Sequence, residues 1–93
     1  MAFMSARDLR VNAIRDRLQE WFPEADVVQV RVRGDQKFRV DDRGVFYVLV
    51  ASKELINHLN PAEMTKQLDA WKVAERLRLD RTLTLTRTGP QAR

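Results

Sequence analysis

The chain contains no cysteine, which excludes disulfide staples, thiolate zinc sites and cysteine nucleophiles together. It has one histidine, His58, so no second imidazole is available to share a metal with it. A lone histidine between Asn57 and Leu59, near a predicted helix end, reads as a surface or capping residue. Glycine and proline number only three each, and no glycine-rich phosphate loop follows a predicted strand. No apolar run approaches the ~20 residues of a membrane-spanning helix. The start, Met1-Ala2-Phe3-Met4-Ser5-Ala6-Arg7, is also too short an apolar stretch for a signal peptide, so a cytoplasmic protein with no membrane association is expected.

What remains is a chain of 93 residues, 44% apolar and 32% charged, with Lys+Arg 17 against Asp+Glu 13 and a net charge of +4. A chain of this length buries only roughly 60–65% of the surface its unfolded form exposes, enough for one core. A single domain over residues 1–93 is expected, ordered from about 5 to 88, with a short disordered tail at 89–93.

The positive charge is uneven. Residues 1–26 sum to −1, 27–40 to +3, 41–75 to −2 and 76–93 to +4. Arginine outnumbers lysine thirteen to four, and the planar guanidinium suits phosphate or carboxylate recognition better than an ammonium does.

Ser5 reads as a helix cap, with Val11, Ile14, Leu18, Trp21 and Phe22 on one arc until Pro23 ends the helix. From Asp26 the period falls to two: Val28, Val30 and Val32 alternate with Gln29, Arg31 and Arg33. Phe38 and Val40 then alternate with Lys37 and Arg39. If the apolar residues of both strands share a side, Val32 lies opposite Phe38 and Val30 opposite Val40. The other face then pairs Arg31 with Arg39 and Arg33 with Lys37. Asp42-Arg43-Gly44 reads as a three-residue turn with a bulge, which pairs Arg39 with Tyr47 and Lys37 with Leu49. The third strand, Val45–Ala51, is apolar on both faces, so something is expected to cover its outer side.

Ser52 can cap a short helical turn through Leu59. Asn60-Pro61-Ala62-Glu63 starts a second long helix, with Met64, Leu68 and Trp71 as its buried stripe to about Arg76. Leu79–Thr88 reads as a last strand, with Leu79, Leu83 and Leu85 on one face and Thr82, Thr84 and Thr86 on the other. Arg81 breaks this alternation unless the strand starts later. The expected fold is an α+β two-layer sandwich, helix-strand-strand-strand-helix(-helix)-strand. Its four-stranded, mostly antiparallel sheet carries helices on one face, and the last strand is preferred beside the third.

The helix-strand-strand-helix-strand order is similar to that of K-homology and double-stranded-RNA-binding domains in topology alone. The chain lacks the Gly-x-x-Gly loop of the former and the basic start to the second long helix of the latter. It also lacks the aromatic-rich strand of the RNA-recognition motif, and fold analogy by itself carries no function.

Enzymatic readings find little support: Asp41-Asp42 are adjacent turn acids, and Ser5 and Ser52 are explained as caps. A non-enzymatic, cofactor-free binding module is the expectation. In the first reading Arg31, Arg33, Lys37, Arg39, Arg78 and Arg81 meet nucleic-acid phosphates or another anion, with Tyr47 stacking on a base. In the alternative, the outward Val45, Tyr47 and Leu49 form an interface with a second copy or an acidic protein partner.

Overall fold

The computed structural model describes residues 6–92, and the expected cap at Ser5 lies outside them. Nine elements follow in order: α1 (Ala6–Trp21), β1 (Asp26–Val32), β2 (Asp35–Asp42), β3 (Val45–Ala51), α2 (Lys53–His58), α3 (Pro61–Ala70), α4 (Val73–Asp80), β4 (Thr82–Thr86) and β5 (Gly89–Ala92). The α+β class is as expected. The sheet has five strands in the order β1-β2-β3-β4-β5. All neighbours are antiparallel except β3 and β4, which run parallel. The helical crossover through α2, α3 and α4 dictates that one exception, because it returns the chain in the direction it left.

Local chemistry accounts for the helices. Val11, Ile14, Leu18 and Phe22 make one buried stripe on α1 and just beyond it, at the spacing a helix face requires. The Ser52 Oγ accepts from the Leu55 amide at 3.2 Å and starts α2. At α3 the capping box is complete: the Asn60 Oδ1 accepts from the Glu63 amide at 2.8 Å, while the Glu63 Oε1 accepts from the Asn60 amide at 3.0 Å. The second long helix expected to run to about Arg76 is instead two helices. Lys72, with φ 54°, breaks it before Val73.

The core lies on one side of the sheet. Phe38, Val40, Leu49, Ala51, Leu83 and Leu85 point into it from the strands, and Ile14, Leu18, Leu55, Ile56, Met64, Leu68, Val73 and Leu77 from the helices. Arg17 on α1 donates to Asp69 on α3 at 2.8 Å and to Glu20 at 2.6 Å, joining two helices of this layer. Hydrogen bonding to Glu20 raises the Arg17 pKa, burial opposes it, and Asp69 adds to the rise.

Both hairpins depart from the expected register, for one reason. Arg33 and Gly34 have φ 52° and 90°, and Arg43 and Gly44 have φ 55° and 87°. Two consecutive positive φ values make a two-residue type I′ turn, whose twist matches that of the flanking strands. Val32 therefore pairs with Asp35, and Asp42 with Val45. The first register lies three residues from the expected one and the second lies one residue from it, and any odd slip moves every side chain of a strand to the other face.

The C-terminal segment differs as well. Arg81 is the left-handed cap that ends α4 at φ 62°, so β4 begins only at Thr82. Leu79 belongs to α4 and is exposed. Gly89–Ala92 pair with β4 as a fifth strand instead of fraying as a tail.

Candidate binding face

The register decides what the sheet shows to solvent. On the face turned away from the helices, Val28 lies opposite Arg39, Arg39 opposite Val48, and Val48 opposite Thr82. The next row reads Val30, Lys37, Val50, Thr84 and Gln91. A third begins Asp26, Asp41, Phe46, and a fourth sets Val32 against Asp35. Two cations thus stand between two valine columns, with a threonine column beyond.

None of the helices covers these rows. Val28, Val30, Val32 and Phe46 are 53%, 48%, 46% and 47% exposed; the three valines form one apolar row along β1, with Phe46 across the charged strand β2 from them. The Arg39 guanidinium lies 4.8 Å from the centre of the Phe46 ring, a cation–π contact across the diagonal of the strand pair. Among the described residues, no carboxylate lies within ion-pair distance of Lys37 or Arg39. Both cations are exposed, their aliphatic stems lying among valines while their charge stays in water.

Of the residues singled out from sequence, Lys37 and Arg39 occupy this face together, and the others do not join them. Arg31 lies opposite Gln36 on the helix side of the edge strand, not opposite Arg39. Arg33 is in the turn and faces no lysine. The expected like-charge pairs Arg31/Arg39 and Arg33/Lys37 are therefore replaced by Val28/Arg39 and Val30/Lys37.

Tyr47 points to the helix side, its ring centre 4.8 Å from that of Phe22. It does not stand beside Arg39. Leu49 is fully buried and Val45 half-buried at the turn, so neither forms an outward apolar set with Tyr47. The outward residues of β3 are Phe46, Val48 and Val50. Arg78 also serves packing: its guanidinium lies 5.0 Å over the Phe22 ring, and its Nη2 donates to the Trp21 carbonyl at 2.9 Å. Arg81 is exposed, but its backbone is tied at both ends, to the Leu77 carbonyl and the Val48 amide, each at 2.7 Å.

The residues that sequence reasoning missed are Val28, Val30, Val32, Phe46, Val48 and Val50. The signal was present as Arg33-Gly34 and Arg43-Gly44, two identical dipeptides at strand ends, each able to close a two-residue turn.

Other sites are weaker. A surface depression of about 170 Å³ is lined by Trp21, Leu68, Asp69, Lys72, Val73, Ala74 and Glu75, below the ~300–1,000 Å³ of ordinary small-molecule pockets. His58 is exposed at the end of α2. Among the described residues, no three His, Cys, Asp or Glu side chains are grouped so as to hold a metal ion, and no helix is long and apolar enough to cross a membrane.

Comparison of the chain with protein-family models, curated proteins and solved structures finds no match in any of the three.

Proposed function

We propose that this protein is a non-enzymatic interaction module that docks a protein partner on the open face of its sheet. The observation that carries the reading is the uncovered set Val28, Val30, Val32 and Phe46 around the unpaired cations Lys37 and Arg39. An aliphatic surface of this kind gains by excluding water, at about 25 cal/mol per Å² of apolar area buried. The chemistry that fits is a segment carrying apolar side chains for the two valine columns and one or two carboxylates for Lys37 and Arg39. An amphipathic protein segment that sets one or two carboxylates against those cations, clear of Asp26 and Asp41, has both.

The nucleic-acid reading stands second, favoured by the Arg39–Phe46 pair and the adjoining threonines. Phe46 offers a stacking surface, and the cations would contact phosphates. Its basis is narrower than the sequence suggested. Arg31 and Arg33 lie off this face, Tyr47 is turned inward, and Asp26 and Asp41 share the face with Lys37 and Arg39. Valine provides no surface for base stacking.

Site-specific photo-crosslinking in cells separates the readings. A photoreactive residue at Val30 or Phe46 is expected to give discrete protein adducts that resist nuclease and vanish with Lys37→Glu plus Arg39→Glu. The same residue at Glu63 or Lys66 on the helical side is expected to give none. Nuclease-sensitive adducts would replace the first reading with the second. Equal adducts from the helical side would remove this face as the docking surface.

A further inference from the structure

The two edges of the sheet are unlike. One edge, β5, is four residues long and contains Pro90, which has no amide to offer a neighbouring strand and so blunts that side. The other edge, β1, runs seven residues without proline or glycine. All of its residues except Val27 are exposed, Gln29 and Arg31 on the helix side included.

Hairpin geometry fixes which backbone groups of β1 are unused. In a two-residue hairpin the residues flanking the turn form a hydrogen-bonded pair, and such pairs recur at every second position. Val32, Val30 and Val28 therefore bond to β2, while the amides and carbonyls of Val27, Gln29 and Arg31 point to the open edge. Unpaired edge groups on a strand this apolar are a template for another strand.

Charge indicates which strand. The segment carries Asp26 at its start and Arg31 and Arg33 at its end. Alignment in parallel sets acid beside acid and base beside base. Alignment in antiparallel sets the acidic start of one copy beside the basic end of the other, at both ends by symmetry.

We propose that two copies pair antiparallel through β1, about a two-fold axis at Gln29, to form one continuous sheet. Val27, Gln29 and Arg31 of one copy exchange hydrogen bonds with Arg31, Gln29 and Val27 of the other. Val28 and Val30 then meet Val30 and Val28 across the junction on the outer face. The pairing goes beyond the docking role of that face and does not depend on it. It sets two such faces side by side. A contact made mainly by one strand is small, so the dimer is expected to be weak, with a dissociation constant on the order of 10–100 µM.

Sedimentation across that range, with amide hydrogen exchange at its two ends, tests the proposal. The expected result is a monomer–dimer equilibrium in which the Val27, Gln29 and Arg31 amides exchange more slowly as dimer accumulates. In Gln29→Pro the lost amide is one that β2 does not use, so the monomer keeps its ladder and dimerisation weakens at least about tenfold. Circular dichroism checks the fold. Should that variant not fold, Arg31→Glu with Arg33→Glu is expected to give the same weakening, because both ends then repel. With the photoreactive residue at Phe46, away from the β1 junction, Lys37→Glu plus Arg39→Glu removes the adducts of the docking face and leaves the dimer intact, so the two readings fail separately. A monomer at every concentration would leave the edge to a foreign strand or to none, and would overturn the proposal. So would a dimer whose Val27, Gln29 and Arg31 amides gain no protection.

Discussion

Gly34 and Gly44 hold equivalent places in the two turns, at φ 90° and 87°, yet their surroundings differ. A Cβ added at Gly34 would meet the Lys53 side chain at 3.2 Å, whereas at Gly44 it would meet nothing within 4 Å. A left-handed backbone costs an L-residue roughly 1–2 kcal/mol. Gly44→Ala is expected to lose about that much, and Gly34→Ala somewhat more because Lys53 must also shift. Urea unfolding of the two variants side by side measures the difference. At this scale the sequence is only half legible. Each glycine marks a turn, but the preceding arginine hides its type, because asparagine or aspartate usually takes the first left-handed place. A three-residue turn with glycine third then reads equally well, and the choice between two and three residues decides where Tyr47 and Leu49 point.

Among the elements, α3 owes its start to chemistry confined to four residues. Asn60→Ala removes the side-chain acceptor of the Glu63 amide and is expected to cost about 1 kcal/mol, read as a lower urea midpoint with an unchanged slope. Such a cap is readable in sequence because its partners are three residues apart. The breaks at Lys72 and Arg81 are not readable, since both residues adopt positive φ with no glycine or asparagine to announce it. Tertiary packing places Val73 and Leu77 in the core, and the chain must turn before and after α4 to let them in. Strand β5 is hidden for a related reason. Gly89 and Pro90 look like the end of order, and only pairing with β4 makes them a strand.

For the molecule as a whole, one core on one side of one sheet leaves little in reserve. A domain of this size has about 5–14 kcal/mol of total stability, so losing a single central side chain removes a large share. Leu49→Ala, at a fully buried position of the middle strand, is expected to cost about 2–5 kcal/mol. Val30→Ala, on the open face, should cost less than about 1 kcal/mol. Thermal unfolding of the pair checks which face of the sheet is the core. The α+β class follows from element order and the parallel run of β4 from crossover geometry, whereas the preference for its place beside β3 rests only on the apolar character of both faces of β3. The binding face does not follow, because it depends on the parity of two turns. That parity has an evolutionary side. Substitutions can adjust the outer face one residue at a time, but one codon gained or lost between Val32 and Asp35 would turn β1 over. Val28, Val30 and Val32 would then face the helices, and Gln29 and Arg31 would take their place outside. In related chains, a change of partner at this face is therefore better sought in the length of the first turn than in the composition of the strands.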